Sequence, residues 1–511
     1  MTGLPPCPAP FNLAAHVLAA GAARPDKIAL QILRPNGAER WSYARLIAAV
    51  RGAGAGLLAR GLEPGERVLL RLGNGPGLVV AYLAAIAVGL IPVPSAAALT
   101  GPEITRMAAR IGPALVIADP GIALPAGEVP VLSGGALLAM ERLAPAPFAM
   151  GDPERPAYIL FTSGTSGQPQ AVVHAHRAIW ARAMMHRGWE GLGETDRLMH
   201  LGAMNWSYTL GTGLLDPWTL GATALVPAAG VEVGQLALLA RRFDATILAA
   251  VPGVFRQMLK RGLPALPRLR HGLTAGEPLP PALRQAWREA CGTDLHEAFG
   301  MTEVSTFLSG APDRPAPPGM AGYAQAGRRL AVLGADGPLP PGQPGILAVH
   351  RSDPGLMLGY WRDPQATAAR FRGDWFVTGD LVEQAPDGAF RALGRADELM
   401  NPGGYRVAPL EVESALAGLG LREAAVAEIE VQPGTRVIGC FYVAETDLDP
   451  EAARTSLVRQ LAPWKLPRLW FRLDALPRNA NNKLDRKALA RLAALQAATL
   501  PAPPAAPKEG A

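Results

Sequence analysis

Cysteine is scarce in this chain, and its scarcity removes two classes of structure. Three cysteines occur in 511 residues, Cys7, Cys291 and Cys440, and no Cys-x-x-Cys spacing is present. Neither a disulfide framework nor a zinc site of clustered thiolates is therefore supported. Isolated thiols favour a reducing compartment, so we expect the protein in the cytoplasm.

Targeting segments and long apolar runs are also missing. The first residues lack the basic start and apolar stretch of a secretory signal peptide. The most apolar segment, residues 78–92, is short for a membrane span and ends in prolines. We interpret it as a buried helix followed by a strand, and we predict no membrane span.

Charge is sparse and close to balanced over the whole chain. Charged residues make up 18% and the net charge is +6, which does not by itself indicate a nucleic-acid partner. The excess is local, because residues 454–491 hold ten basic and two acidic residues. A solvated helix face explains such a run, and a surface that meets phosphates is the alternative.

Apolar residues make up 49% of the chain, enough for large cores. Short apolar strands alternate with helical patterns over roughly the first 320 residues, which predicts an α/β class of layered subdomains. Residues 325–395 are richer in glycine, proline and short strand patterns, which predicts a β subdomain. We therefore predict a large N-terminal domain over 1–395, a small α+β domain over 396–498 and a disordered tail over 499–511.

The segment 158–169 carries the strongest functional signal. An apolar strand pattern ends in a loop of hydroxyls and glycines, Thr162-Ser163-Gly164-Thr165-Ser166-Gly167. Glycine lets backbone N–H groups converge on one point, so such a loop suits a polyphosphate. No Gly-Lys-Ser/Thr follows at the spacing of a Walker A loop, and clusters of this composition also form plain turns.

Four further segments follow in a set order. They begin at Ala275-Gly276-Glu277-Pro278, Glu297-Ala298-Phe299-Gly300-Met301-Thr302-Glu303, Trp375-Phe376-Val377-Thr378-Gly379-Asp380 and Pro477-Arg478-Asn479-Ala480-Asn481-Asn482-Lys483. Together with the loop, they closely resemble the core motifs of adenylate-forming enzymes, over residues 12–490. The resemblance implies an AMP-forming ligase that uses ATP, Mg²⁺ and coenzyme A. In that family, a carboxylate attacks the α-phosphate of ATP, and a thiol then displaces AMP from the acyl-adenylate.

The resemblance assigns roles in nucleotide binding. It implies that residues 162–167 hold the β- and γ-phosphates, that Thr302 binds the α-phosphate and that Glu303 holds Mg²⁺. Gly276, Glu277 and Pro278 would lie along the adenine, Asp380 would accept both ribose hydroxyls, and Arg395 would contact ribose and phosphates.

The resemblance also assigns roles to the C-terminal part of the chain. Lys483 matches the mobile lysine that stabilises charge during adenylation, and Asp397 matches the hinge of the small domain. Gly404, Tyr405 and Arg406 match the loop that lines the pantetheine tunnel and meets a phosphate.

The acid pocket is predicted from the segment 204–214, which resembles benzoate–CoA ligases. The residues expected to form a small, flat, apolar wall are Trp206, Tyr208, Gly211, Met301 and Phe307, although residues of these types are as often plain core. An aryl or small to medium acyl acid is favoured over a long-chain fatty acid. His174, His176 and His200 lack a second ligand cluster and are interpreted as structural.

Two departures from the family pattern stand out. Gln170 occupies the position of a lysine that contacts phosphate, so weaker ATP binding is expected. Asn482 replaces the glycine before Lys483, and asparagine tolerates the left-handed backbone well.

Two alternatives remain open from the residues alone. One is an adenylating enzyme that transfers its acyl group to a carrier protein, and the other is a catalytically silent nucleotide- or acyl-binding relative. The expected partners are small molecules rather than nucleic acid, and the sequence leaves open whether the protein is a homodimer.

Overall fold

The computed structural model describes residues 4–162, 169–402, 407–432, 435–478 and 484–497. Contacts among residues divide the chain into two units. The first comprises Met1–Ala331, Ala348–Thr378 and Ala385–Arg391, and the second comprises Val332–Leu347, Gly379–Gln384 and Ala392–Ala511. The predicted boundary at residue 395 stays a prediction, and the predicted tail lies outside the described residues.

A large mixed sheet forms the centre of the first unit. In spatial order its strands are Gly322–Ala324, Ser305–Ser309, Leu295–Met301, His271–Ala275, Ile247–Ala250, Arg197–His200, Thr223–Pro227, Ile28–Arg34 and Gly37–Ser42. The inner strands run parallel, and antiparallel strands lie at both ends. Three of the inner strands, Thr223–Pro227, Ile247–Ala250 and His271–Ala275, are buried over their whole length, as is typical of parallel strands covered on both faces.

Two smaller sheets complete the first unit. A parallel sheet contains Ile91–Pro94, Arg67–Arg71, Leu115–Ala118 and Val131–Ser133. An antiparallel sheet contains Gly359–Tyr360, Ala171–Ala175 and Pro156–Phe161. The second of these strands follows the predicted phosphate loop, and the third precedes it.

Helices cover these sheets. The longer ones in the first unit are Leu13–Ala22, Tyr43–Leu58, Pro76–Ala87, Gly101–Ile111, Val233–Arg242, Pro252–Lys260 and Pro281–Cys291. The helix Gly101–Ile111 shows how local sequence sets the bounds. Thr100 and Glu103 form a capping box at its start, and Gly112 ends it with a φ of 56°.

Shorter helical segments lie along the chain between these longer elements. They are Gly134–Ala139, Ala178–Ala181, Ala183–Met185, Ser207–Leu210, Asp216–Thr219 and Pro364–Ala368, with π-helical turns at His186–Glu190 and Gly211–Leu215.

Four strands have residues in both units: Leu330–Leu333, Pro344–His350, Trp375–Gln384 and Ala389–Arg395. The second unit also contains a sheet of Glu423–Gln432, Thr435–Val443 and Leu469–Arg472. Its helices include Pro409–Leu416, Pro450–Leu457 and Arg486–Ala497. The strands and helices of the second unit agree with the small α+β part predicted from the sequence. Those of the first unit agree with the predicted α/β class. Among the described residues, no helix has both the length and the apolarity that crossing a membrane requires.

Buried histidines are a distinctive part of the first unit. His174 and His200 are 3% and 0% exposed, and burial lowers their pKa values to about 4 and about 3. Burial likewise lowers the pKa of four further imidazoles, those of His16, His176, His271 and His296. These side chains are therefore neutral in the folded protein at neutral pH.

We expect the free energy of unfolding to fall as pH drops from 6.5 towards 4. The unfolded chain takes up protons at its ordinary histidine pKa, whereas the folded state does not, and each such group contributes up to about 1.4 kcal/mol per pH unit. Burial raises the carboxyl pKa of Glu190 and Glu297, which opposes this trend, but the histidines outnumber them. Urea unfolding at pH 7, 6 and 5 measures the slope.

His200→Gln removes one buried imidazole and should make this decline less steep. A free energy of unfolding that stays constant between pH 7 and pH 5 would contradict the expectation.

Candidate active site

The carboxyl ends of neighbouring parallel strands bring several predicted site residues together. Gly276 follows the strand His271–Ala275, and Thr302 follows its parallel neighbour Leu295–Met301. Trp206 comes after Arg197–His200 in the same sheet. Ligands of open α/β sheets bind outside the carboxyl ends of the strands. The topology therefore collects these residues at one sheet edge.

The turn that carries Thr302 and Glu303 is held from outside its own hairpin. The Nε2 atom of His174 lies 2.7 Å from the carbonyl oxygen of Thr302. Because a carbonyl only accepts, the neutral imidazole carries its proton on Nε2. The amide of Met357 donates to the carbonyl oxygen of Glu303 at 2.8 Å. Both backbone oxygens of the turn are thus fixed by other parts of the first unit.

The turn also contains an uncommon backbone conformation. Ser305 has a φ of 76°, in a region that non-glycine residues seldom adopt. The amide of Val304 donates to the carbonyl oxygen of Met301 at 3.2 Å and tightens the turn. The contacts around the turn stabilise this conformation against its intrinsic cost.

Glu303 is buried and has a defined partner. Glu303 is 7% exposed, and the Tyr360 hydroxyl donates a hydrogen bond to Glu303 Oε1 at 2.8 Å. Burial, together with the Glu303 carboxylate, raises the pKa of Tyr360, so that hydroxyl keeps its proton. Among the described residues, no hydrogen bond to the second oxygen of Glu303 is formed. A carboxylate held in this way fits a hard cation such as Mg²⁺.

Two of the three aromatic residues predicted for the acid pocket contact each other. Trp206 and Tyr208 pack edge to face with ring centroids 5.4 Å apart. The Tyr208 hydroxyl donates to the carbonyl oxygen of Leu273 at 3.0 Å. Phe307 is 0% exposed and packs on Phe299 at 5.9 Å, as a core residue does.

Gly276 brings the segment predicted to lie along the adenine against Trp206 of this aromatic pair. Its φ is 90°, and a Cβ atom at this position would lie 3.1 Å from Cη2 of Trp206. The backbone conformation therefore favours glycine, and an added Cβ atom would make a tight contact with the indole. Pro278 is exposed, and Glu277 is half-buried beside it.

A small internal cavity lies behind the Thr302 turn. Its volume is about 30 Å³, and Gly211, Thr302 and Ser305 contribute to its wall. Tyr82 and His174 also line it, and Tyr82 Oη and His174 Nδ1 are buried without a hydrogen-bond partner among the described residues. A space of this size suits one small polar group rather than a long apolar chain.

Arg182 links the wall of this cavity to the Thr302 turn. Its guanidinium donates to Ser305 Oγ at 2.6 Å, to Thr212 Oγ1 at 3.1 Å and to Asp216 Oδ1 at 2.7 Å. A Cβ atom on Gly211 would lie 2.5 Å from Arg182 Cζ, so glycine at 211 makes room for the guanidinium. The cluster joins the acid-pocket segment to the turn of Thr302.

The carboxyl groups around Arg182 differ in charge. Burial opposes ionisation of Asp216, but Arg182 holds the pKa of its carboxyl below the usual value. Burial, and then the Asp216 carboxylate, raise the pKa of Glu190 well above its usual value. The ligand atoms of His186, Glu190 and Asp216 lie within 4.8 Å of one another, as in a metal site. Arg182 already supplies the cation there, so we interpret the group as an ion-pair cluster.

Sequence reasoning did not identify this cluster or Tyr360. Asp216 interrupts the apolar run that begins at Leu214, and an acid within such a run signals a buried partner. Arg182 and Tyr360 carry no comparable local signal, because their partners lie far away along the chain.

The ends of the predicted phosphate loop are paired. The Thr162 amide donates to the carbonyl oxygen of Gln170 at 2.9 Å, and the Gln170 amide donates to Thr162 Oγ1 at 3.3 Å. The predicted phosphate contacts in between, Ser163, Gly164, Thr165, Ser166 and Gly167, lie outside the described residues.

A second set of predicted residues lies within the second unit. Arg395 Nη1 is 3.2 Å from Asp380 Oδ1, and Arg395 Nε donates to Asp397 Oδ1 at 3.1 Å. Burial would lower the pKa of Arg395, but these carboxylates raise it, so the guanidinium stays charged. The structure thus joins the predicted ribose acceptor, phosphate contact and hinge. Gly404, Tyr405, Arg406 and Lys483 lie outside the described residues.

We expect Gly276→Ala to impair ligand binding as well as stability. The new methyl group strains the backbone by about 1–2 kcal/mol and pushes on Trp206. Steady-state KM values for ATP and acid, together with the melting temperature, measure the two effects.

Gly230→Ala is the matched control. Gly230 has a φ of 82° with no atom within 4 Å of an added Cβ, so it reports backbone strain alone. Equal KM values in the two variants would contradict a role for the contact between Gly276 and Trp206.

Comparison with known proteins places this chain in a family. The AMP-binding enzyme family matches residues 18–361. A 3-hydroxybenzoate–CoA/4-hydroxybenzoate–CoA ligase of Thauera aromatica is 29% identical over 87% of this chain and 90% of its own length. An anthranilate–CoA ligase of Pseudomonas aeruginosa is 32% identical over 86% of this chain and 89% of its own.

A solved structure agrees with these relatives. The benzoate CoA ligase from Burkholderia xenovorans superposes with a TM-score of 0.83 at 26% identity, over 94% of this chain and 100% of that one. The predicted adenylate-forming fold and the predicted enzyme class, an AMP-forming acid–thiol ligase, are confirmed. The chain belongs to the AMP-binding enzyme family.

Proposed function

We propose that this protein joins a small aromatic carboxylic acid to coenzyme A with Mg-ATP. The observation that carries the proposal is the arrangement at one sheet edge of Gly276, Thr302 and Glu303 beside the aromatic pair Trp206 and Tyr208. The carboxylate of the acid attacks the α-phosphorus of ATP, and pyrophosphate leaves. The thiol of coenzyme A then attacks the acyl carbon, and AMP leaves.

The acid class follows from the size and polarity of the site. The cavity behind Thr302 has a volume of about 30 Å³, which is room for one small substituent and neither for a long acyl chain nor for a whole aromatic ring. Its wall combines Gly211 with the hydroxyl of Ser305 and the guanidinium of Arg182. A hydroxyl or amino substituent of a ring bound outside this cavity would fit such a lining. The related ligases named above act on hydroxybenzoates and on anthranilate.

Thr302 and Glu303 are proposed to do most of the charge stabilisation in the first step. Thr302 would bind the α-phosphate. The backbone of its turn is held by the hydrogen bond from His174 Nε2 to the carbonyl oxygen of Thr302, at 2.7 Å. Glu303 would hold Mg²⁺, which supplies positive charge to the phosphates. Positioning and preorganised charge are what this chemistry requires of the protein.

The remaining roles rest on the family motifs. Asp380 and Arg395 would bind ribose and phosphate, and Lys483 would stabilise the adenylation step. Asp397 would be the hinge, and residues 404–406 would line the pantetheine tunnel. Coenzyme A is the proposed acceptor, because the related ligases named above are CoA ligases.

We expect purified protein with Mg-ATP and coenzyme A to form thioesters of benzoate, hydroxybenzoates or 2-aminobenzoate. Octanoate and palmitate serve as size controls, and kcat/KM for the aromatic acids should exceed theirs by at least about tenfold, or about 1.4 kcal/mol. Thioester formation is measured with each acid in turn. A preference for palmitate would contradict the aromatic assignment, and pyrophosphate release without thioester would indicate a carrier-protein acceptor.

We expect Glu303→Gln to lower kcat by at least about 100-fold, because it removes the charge that would hold Mg²⁺. Tyr360→Phe removes only the hydrogen bond to Oε1 and should raise the Mg²⁺ concentration needed for half-maximal pyrophosphate release. Titration of Mg²⁺ at fixed ATP measures both effects.

Tyr323→Phe is the control for Tyr360→Phe, since that ring packs under Arg314 in another part of the first unit. An unchanged Mg²⁺ dependence in Glu303→Gln would rule out the metal role of this carboxylate.

A further inference from the structure

Polar atoms without partners surround the cavity behind the Thr302 turn. Tyr82, His174 and Arg328 line it, and Tyr82 Oη, His174 Nδ1 and Arg328 Nε are buried without a hydrogen-bond partner among the described residues. Buried polar atoms of native proteins nearly always have a partner, which can be a ligand. Three such atoms around a volume of about 30 Å³ indicate a place for one small polar group.

The hydrogen bond that His174 makes to the turn decides what its second nitrogen can do. Nε2 carries the one proton of the neutral ring and donates it to the carbonyl oxygen of Thr302 at 2.7 Å. Nδ1 therefore has a free lone pair and can only accept. The ring also stacks on Tyr158, with centroids 5.0 Å apart, which holds its plane. A group that pairs with Nδ1 must bring its own hydrogen.

The other two unpartnered atoms can donate. Burial raises the pKa of Tyr82 well above its usual value, so the hydroxyl keeps its proton. Arg328 donates through Nη1 to Asp353 and through Nη2 to the carbonyl oxygen of Thr306, which leaves the N–H at Nε unused. The wall thus offers one acceptor and two donors.

The wall carries no unbalanced charge. Two guanidinium groups line the cavity, and Asp353 pairs with Arg328 while Asp216 pairs with Arg182. An anionic substituent, such as a second carboxylate, would find no spare cation and would be costly to bury. The set of donors and acceptor instead fits a neutral group that does both. Among small ring substituents a hydroxyl does both, an aromatic amino group chiefly donates, and a methyl group does neither.

Ser207 and Thr302 connect this cavity to the predicted acid site. Both line the cavity and both are half-buried, whereas the three residues with unpartnered atoms are buried. Ser207 lies between Trp206 and Tyr208, the aromatic pair at the sheet edge. A ring bound against Trp206 would therefore have the cavity within reach of one of its substituents.

We propose that this cavity is a specificity subsite for a neutral ring hydroxyl of the aromatic acid, and that His174 and Tyr82 determine the preference. The hydroxyl donates to His174 Nδ1 and accepts from Tyr82 Oη or Arg328 Nε. A hydroxyl reproduces the hydrogen bonds that water would make to these atoms, whereas a methyl group of similar size does not. The inference rests on the proposed function and deepens it, because it names the substituent that the site selects.

Acid selectivity tests the inference. We would measure kcat/KM for thioester formation with hydroxy-, amino- and methylbenzoates, each substituted at the ortho, meta or para position. At the ring position that reaches the cavity, the hydroxybenzoate should exceed the methylbenzoate by at least about tenfold, and should also exceed the aminobenzoate. Equal values for hydroxy and methyl acids at all three positions, or a preference for the amino group, would overturn the inference.

Two variants separate recognition from folding. Tyr82→Phe removes a hydroxyl without a partner in the described protein, so the melting temperature should not fall. The ratio of kcat/KM for the hydroxy acid to that for the methyl acid should nevertheless drop at least about threefold. His174→Gln keeps an N–H for the carbonyl oxygen of Thr302 but removes the acceptor Nδ1, and the same ratio should drop about tenfold.

Tyr323→Phe is the control and should leave this ratio unchanged, because that ring packs under Arg314 and does not line the cavity. An equal loss for every acid in Tyr82→Phe and His174→Gln would mean that the two residues serve only the turn, and would overturn the inference. Tyr82→Phe alone decides the question if His174→Gln fails to fold.

Failure of the proposed function has a different signature. Absence of thioester with every aromatic acid would refute that function, whereas equal turnover of hydroxy and methyl acids would refute only the subsite. ¹⁵N NMR of histidine-labelled protein needs no turnover, and His174→Gln assigns the Nδ1 resonance of His174. That resonance should move upfield when a hydroxybenzoate binds and stay in place when a methylbenzoate binds. No movement with any hydroxybenzoate at calorimetric saturation would overturn the inference.

Discussion

The hydrogen bond from His174 to the carbonyl oxygen of Thr302 is the contact on which the active-site geometry depends. The Thr302 turn closes a tight hairpin in which Ser305 adopts a positive φ. Such a turn keeps its shape only when its surroundings determine it. His174 comes from the antiparallel sheet next to the phosphate loop, so one contact joins the turn to the strand that follows that loop.

Burial gives this histidine its role. A neutral imidazole with its proton on Nε2 donates to the carbonyl oxygen of Thr302, and burial holds the pKa of His174 at about 4. The same burial that excludes water from the turn thus keeps the imidazole neutral, and its one proton lies on Nε2, where Thr302 accepts it. The histidine is a fixed donor in this arrangement, in line with the structural interpretation of His174 made from the sequence.

Two arginines of the first unit act through partners from other parts of the chain. Arg182 pairs with Asp216 and reaches Ser305, while Arg110 reaches the end of the phosphate loop at Gln170. Buried or half-buried cations need such partners, because isolated charges are costly away from water. Electrostatics therefore connect the segment predicted to form the acid pocket to the Thr302 turn, and the helix Gly101–Ile111 to the end of the predicted phosphate loop.

The sequence by itself determined the α/β class, the family and the positions of the motifs. Apolar runs such as 222–226 and 245–250 indicate strands from local sequence alone, because a buried parallel strand is apolar on both faces. Only the tertiary structure decided which side chains meet. Tyr360 on Glu303, Arg182 on Ser305 and Arg110 on Gln170 join residues separated by 57, 123 and 60 positions. Such contacts depend on how sheets and helices pack, which no local pattern encodes.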